Sequence, residues 1–217
     1  MSLSFFMKYI FGEGAVMKTE DHIKKFDRQV DVYVKMRDND KFSKYRRKLF
    51  HKAEGDVLEV GVGTGLNFPH YNQVEKLTAV DFSEPMIAEA EKEAAKYPFP
   101  IDFIRDDAES VAFEENSFDT IVSSLSFCSY NHPVELLNKF NLWCKEGGKI
   151  LLFEHGLAKN KVLQAAQKAI DPLTMCAIGC HQNRDIEALA ASSNLEIVKV
   201  ERYVLGAVYL VQGKPVK

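Results

Sequence analysis

Cysteine is scarce in this chain. Its 217 residues include only Cys128, Cys144, Cys176 and Cys180, too few and too irregular for a disulfide framework. No Cys-x-x-Cys pair occurs, and Cys176, Cys180 and His181 lack a fourth ligand at zinc-site spacing, so no metal set is read along the chain. Free thiols in a reducing cytoplasm are the expectation. Excess basic charge is also missing. A net charge of -3 and a pI near 6.1 exclude a dedicated nucleic-acid binder, which carries a basic footprint. Long apolar runs are absent too. Leu3, Phe5, Phe6, Met7, Tyr9, Ile10 and Phe11 cluster over about ten residues, roughly half a membrane span. With no basic flank before it and no small-residue cleavage site after it, this start makes a poor signal peptide. It reads either as a segment packed on the domain or capping its active site, or as a shallow interfacial anchor giving peripheral membrane contact. Repeats, low-complexity tracts and interdomain linkers are lacking, and the length suits one α/β domain.

Charge is unevenly placed. Residues 1–52 hold 13 Lys/Arg against 7 Asp/Glu, leaving 15 against 24 in the remainder. Lys41, Lys44, Arg46, Arg47, Lys48 and Lys52 run without an acid between them, as a solvated helix face or as an attraction for anionic substrates or a membrane surface. After the Gly12-Glu13-Gly14 break, Thr19 is placed to cap one long helix with Ile23, Phe26, Val30, Tyr33 and Val34 on a stripe. Asp38-Asn39-Asp40 ends it, and Phe42, Tyr45 and Leu49 mark a second, basic helix. Residues 1–52 thus read as a helical cap on a domain spanning 53–217.

From residue 56 the period changes. Short apolar strands are expected at 56–60, 77–80, 101–104, 118–122 and 149–153. Helical patterns follow Ser83 (Met86, Ile87, Ala90, Ala94) and run through Leu136, Leu137, Phe140 and Trp143. Alternating strands and helices imply parallel βαβ units with helices on both faces. Residues 195–202 and 204–211 have no helix between them, which permits an antiparallel hairpin at the sheet edge.

The first strand runs into Gly61, Gly63 and Gly65, a tight turn whose backbone approaches a ligand closely. The spacing is not that of the dinucleotide fingerprint, whose third glycine falls where Leu66 stands, and no GxxxxGK[ST] loop occurs. Glu59, just before the first glycine, would repel a pyrophosphate but suits a cofactor bearing an ammonium and a sulfonium. That charge logic favours S-adenosylmethionine over NAD or ATP. Asp81 ends the second strand, where an acid accepts from both ribose hydroxyls. Asp107, after the third, is placed to accept from an adenine amino group.

These motifs carry a resemblance. LEVGVGTG, AVDFSEPMI, DDAESVAF, FDTIVSSLSFCSY and WCKEGGKILLFEHG together resemble the class I methyltransferases from about Lys18 to Gln212. Lys145-Glu146-Gly147-Gly148 differs from that family's usual turn by lacking its proline. The chain is similar to the ubiquinone/menaquinone-type small-molecule enzymes. Through LEVGVGTGLNFPHY, FCSY, FEHG and GCHQNRDIEALAASS, it resembles more narrowly the methyltransferase-like thiol S-methyltransferases and their bacterial phospholipid-methyltransferase-like relatives.

The resemblance implies a Rossmann-like class I fold, with a mostly parallel seven-stranded sheet, an antiparallel C-terminal edge hairpin and extra N-terminal helices. It implies S-adenosylmethionine as cofactor, S-adenosylhomocysteine as product and a small-molecule acceptor. Cofactor contacts are implied at Glu59, Gly61, Gly63, Gly65, Asp81, Phe82, Met86, Asp107, Ala108 and Ser124. Ser123 to Phe127 replaces the Asn/Asp-Pro-Pro-aromatic motif of nucleobase N-methylating enzymes, against that chemistry. Candidates for a general base or acceptor contact are His155, His132 and Tyr130, with Cys128 as a packed thiol. Asp171-Pro172 and His181 to Arg184 are expected in an acceptor-side lid, Arg184 either binding an acidic substrate group or, by default, pairing with Asp185 or Glu187. The acceptor is expected to be a thiol, with phospholipid amines and quinone precursors as alternatives. The non-methyltransferase alternatives are a non-catalytic cofactor-binding subunit, aminopropyl transfer and nicotinamide redox chemistry.

Overall fold

A computed structural model describes residues 19–217. The Leu3–Phe11 cluster, the Gly12–Gly14 break and the side-chain cap expected at Thr19 lie outside what it describes. The elements in chain order are α1 (Thr19–Asp27), α2 (Val30–Asp38), α3 (Ser43–Phe50), β1 (Glu54–Val60), a 3-10 turn (Phe68–His70), β2 (Gln73–Asp81), α4 (Glu84–Ala94), β3 (Ile101–Arg105) and β4 (Phe118–Ser124). They continue with α5 (Pro133–Trp143), β5 (Cys144–His155), α6 (Lys161–Ile178), α7 (Ile186–Ala191), β6 (Leu195–Tyr203) and β7 (Val208–Pro215).

One seven-stranded sheet has the order β3-β2-β1-β4-β5-β7-β6. Strands β1 to β5 pair parallel, and β7 is antiparallel to both β5 and β6, so the Rossmann-like arrangement and edge hairpin are as expected. Period-2 alternation divides the core. Leu58, Ile121, Ile150 and Val211 face α5 and α7, burying Phe140, Trp143 and Ile186. Their neighbours Val57, Val122, Leu151 and Leu210 face the other way, against Leu49 and Phe50 of α3 and Ala90 of α4. Sheets buried on both faces read as near-continuous apolar runs, as these strands do.

Local chemistry sets the helix ends. Ser83 Oγ accepts from the Met86 amide at the start of α4, with proline in the first turn. Asn160 caps α6 through the amides of Val162 and Leu163, and Gly179 closes it in the left-handed conformation.

Two sequence expectations are corrected. The first helix is two, because Gln29 breaks the run: its amide bonds back to the Phe26 carbonyl at 2.9 Å, and its side chain donates to Lys25 O at 3.0 Å and to Ile178 O at 3.3 Å. Val204 and Leu205 belong to the hairpin turn rather than a strand, with φ of 52° and 57°, so β7 begins at Val208. Asp171-Pro172 of the expected lid lies inside α6. Among the described residues, no helix is long and apolar enough to cross a membrane.

Candidate active site

Strand order reverses between β1 and β4, the crevice where open α/β sheets bind ligands. Register aligns the strand ends there: Val60 lies beside Val80 and Ser123, and Asp81 beside Arg105. A cleft opens at this point, walled by Gly61, Gly63, Asp81, Phe82, Met86, Ala108 and Ser124 from the expected cofactor set. Leu125, Ser126, Ser129 and Tyr130 form the wall beyond β4, and Phe26 and Tyr33 close it from α1 and α2.

The glycine loop is held open by Asp81. Its Oδ2 accepts from the Gly63 amide at 2.8 Å, and its Oδ1 from the Ser83 amide at 2.9 Å. Burial raises the Asp81 carboxyl to about 6, against the backbone N–H groups of Ser83, Gly63 and Phe82, which lower it. Gly61 and Gly63 have φ of +74° and +55°, a region costly for side-chain-bearing residues. A Cβ on Gly61 would sit 2.8 Å from Ser126 Cβ and 3.2 Å from the Tyr130 hydroxyl, whereas one on Gly63 would meet nothing within 4 Å. Gly63 thus borders free space. The Tyr130 hydroxyl is buried beside Ser126 at the Gly61 cradle. A close-approach backbone, an acid at the second strand end, a buried hydroxyl and aromatic walls together fit S-adenosylmethionine.

Gly63→Ala is expected to keep the fold, losing about 1–2 kcal/mol to the left-handed backbone, while cofactor affinity falls more than tenfold because the new methyl enters the cleft. Gly61→Ala should lose both, since its methyl also strikes Ser126. Thermal denaturation alongside calorimetric titration with S-adenosylmethionine separates the two; equal affinity in Gly63→Ala and the parent chain would refute the placement.

Other expected residues stand elsewhere. Glu59 is wholly buried behind the loop and does not face the cleft. Its Oε1 accepts from Asn67 Nδ2 and its Oε2 from the Tyr71 hydroxyl, each at 2.7 Å. Burial pushes its carboxyl to about 7, although those bonds and Arg46 favour the charged form. Gly65 packs on the Phe68 ring. Asp107 Oδ1 accepts from the Glu109 amide at 2.9 Å, holding the turn that presents Ala108. His132 is exposed at the start of α5 and caps nothing with its side chain.

Arg184 does not pair with Asp185 or Glu187. It donates to the carbonyls of Phe127 and Tyr130, while Arg202 takes both acids. Arg184 thereby fastens the loop after α6 onto the loop after β4, as does the His181 amide bonded to Cys128 O at 2.9 Å. This clamp brings His155 and Cys180 together, Nε2 to Sγ at 3.1 Å, with Cys128 beside them. Cys180 is held below the ordinary thiol range, first by its hydrogen bond with Cys128 and then by His155. The hydrogen bond with Cys180, and then burial, push Cys128 up.

Sequence reasoning missed three contributors. Phe26 and Tyr33 were legible as an apolar stripe but not as cleft walls, since nothing local shows where α1 and α2 dock. Arg46 was grouped with a solvated basic face, yet it is 3% exposed. It bonds Asn67 Oδ1 at 2.7 Å and Ser124 Oγ, and lies over the Phe153 ring. The signal was position: Arg46 lies three residues before Leu49 on the inward face.

Comparison with known proteins agrees with the fold and the cofactor. Residues 58–152 match the family described as "Methyltransferase domain". The chain is 31% identical over 147 residues to phosphatidylethanolamine N-methyltransferase of Cereibacter sphaeroides, covering 67% of this chain and 72% of that protein. It is 31% identical over 195 residues to the mitochondrial methyltransferase OMS1 of Saccharomyces cerevisiae, covering 79% of this chain but only 40% of the yeast protein. A ubiquinone/menaquinone biosynthesis C-methyltransferase of Roseobacter denitrificans is 28% identical, with about half of each chain aligned (53% and 48%). Among solved structures, an S-adenosylmethionine-dependent methyltransferase from Mesorhizobium loti superposes with a TM-score of 0.61 at 17% identity, covering 79% of this chain and 96% of the other. One from Leishmania major gives 0.66 at 16%, covering 90% and 82%. At those identities the structures establish the fold, and the sequence relatives establish the rest: the chain belongs to the class I S-adenosylmethionine-dependent methyltransferases.

Proposed function

We propose that this enzyme transfers a methyl group to a small, largely apolar thiol. Bound S-adenosylmethionine supplies an electrophilic methyl on a sulfonium, and the protein's task is then alignment, worth roughly 7–11 kcal/mol of the barrier. Asp81 and the Gly61–Gly63 backbone hold the cofactor, Phe82 and Met86 flank it, and Phe26, Tyr33 and Leu125 exclude water from the acceptor side. The observation that carries the thiol reading is the Cys128–His155–Cys180 cluster behind the Leu125–Tyr130 wall. A thiol with a free pKa near 8.5 needs little activation, and a sulfur- and imidazole-bearing cluster is suited to promote its thiolate. An amine or a quinone ring would call for a stronger base at this wall.

The second reading, a phospholipid amine, rests on the likeness to the Cereibacter enzyme. Release of S-adenosylhomocysteine, measured with a simple alkyl thiol, with phosphatidylethanolamine vesicles and with a quinol precursor, decides between them. Thiol-dependent turnover is expected. Turnover on the lipid or the quinol alone, with cofactor binding intact, would replace the thiol by that acceptor. Binding without turnover on all three would leave a non-catalytic subunit.

A further inference from the structure

Three ligand atoms meet at one point that the reading of spacing along the chain missed. Cys128 Sγ, a ring nitrogen of His155 and Cys180 Sγ all lie within 4.8 Å of one another, with His155 Nε2 and Cys180 Sγ at 3.1 Å. They come from three segments: the loop after β4, the last residue of β5 and the loop after α6. Two thiols and an imidazole are the donor set of thiophilic d10 ions. Tetrahedral zinc, with bonds of about 2.3 Å to sulfur and 2.0–2.1 Å to nitrogen, separates its ligand atoms by roughly 3.5–3.8 Å, within the span found here. Small side-chain rotations therefore suffice.

The scaffold is held for the purpose. The His181 amide on Cys128 O at 2.9 Å and Arg184 on Phe127 O and Tyr130 O lock the two loops together. Gln182 Nε2 lies 3.4 Å from Cys180 Sγ, a supporting contact of the kind that orients ligands. Cys128 is buried and the other two are half-buried, so an ion has a way in.

We infer that Cys128, His155 and Cys180 form a three-ligand site for a zinc-class cation, with one coordination position left open. Three protein ligands plus an open position is the pattern of sites that receive a substrate. The cluster lies behind the wall of the cleft: Cys128 Sγ is 3.7 Å from the carbonyl oxygen of Leu125, a cleft residue three positions earlier in the same loop. Resting on the thiol reading above, the open position takes the acceptor's sulfur. The thiol gives its proton to solvent on binding. Its sulfur then forms the new bond to the methyl carbon as the carbon–sulfonium bond breaks, and that electron pair stays on neutral S-adenosylhomocysteine. His155 is on this account a ligand rather than a base.

The test is titration of the reduced full chain with Co2+, followed by Zn2+ displacement, on the parent and on Cys128→Ser, Cys180→Ser and Cys176→Ser. Calorimetric binding of S-adenosylmethionine to each reports that it is folded. Expected is one equivalent of cobalt with a thiolate-to-cobalt charge-transfer band, displaced by zinc and kept in Cys176→Ser. Cys128→Ser and Cys180→Ser should weaken it beyond the roughly 10–100-fold that loss of a supporting partner costs. No such band in reduced, cofactor-binding protein overturns the site, as does a band surviving in both ligand variants. A Cys128–Cys180 disulfide whose reduction restores no cobalt binding also overturns it, making the pair a redox couple. An alkyl thiol should shift the band; an unshifted band with thiol turnover intact overturns the open-position role alone. Turnover confined to the lipid amine with the band present defeats the thiol reading and leaves the cation site standing.

Discussion

Asp81→Ala will raise the dissociation constant for S-adenosylmethionine about 100-fold or more with the fold preserved. Hydrogen bonds to a charged group contribute about 1.5–3 kcal/mol each, and two ribose hydroxyls at one carboxylate correspond to at least two decades of affinity. The structure adds a second loss, because Asp81 also anchors the Gly63 amide; the loop that the cofactor must approach loosens with it. Asp81→Asn should fall between the two, keeping one acceptor oxygen without the charge.

The same carboxylate sets a pH dependence. Burial raises its pKa to about 6 in the cofactor-free protein, and the cofactor's hydroxyls require the ionised acceptor. Affinity is therefore full above that value and declines as pH falls through it, with a proton released on binding near pH 6. Calorimetry in buffers of different ionisation enthalpy measures that proton. Unchanged affinity in Asp81→Ala, or binding that tightens as pH falls, would remove Asp81 from the site.

Arg46→Met will destabilise the protein by about 3–5 kcal/mol, the cost of leaving a buried charge without its partner. For a chain of this length that is a fall in Tm of roughly 6–20 °C. Arg46 is 3% exposed, and its Nε lies 3.0 Å from Asp40 Oδ2 as an ion pair not aligned as a hydrogen bond. Through Asn67 it also faces Glu59, whose charged form it favours. The sign with pH follows. The Glu59 carboxyl is raised in the fold, so the folded state binds its proton more readily than the unfolded chain, and stability from this group declines as pH rises between the ordinary value and about 7. Without Arg46 that elevation grows, and the deficit of the variant should be larger at pH 8 than at pH 5. Because Arg46 also bonds Ser124 of the cleft, cofactor affinity should drop modestly with stability. Denaturant titration at the two pH values is the check. A loss below about 1 kcal/mol, the scale of an exposed pair, would return Arg46 to the surface.

Much of this protein was legible in one dimension because its signals are local. Strand periods, the glycines at 61 and 63, the cap at Ser83 and the acid at Asp81 depend on backbone geometry within a few residues, and parallel βαβ connection fixes which strand ends lie together. That sufficed for the fold and the cofactor. Phe26, Tyr33 and Arg46 were decided only in three dimensions, since an amphipathic helix displays its inward face without naming what it will cover. Glu59 shows the converse. The charge argument for it was sound chemistry, but one residue of strand alternation turned the carboxylate away from the cleft and into the arms of Asn67 and Tyr71. The cluster of Cys128, His155 and Cys180 joins residues 25 to 52 positions apart, so no spacing rule along the chain could gather them. Local patterns along the chain were enough for a class I methyltransferase fold and its glycine loop. How separate segments dock settled what walls the cleft and which thiols meet behind it, because such contacts have no signature in local periodicity.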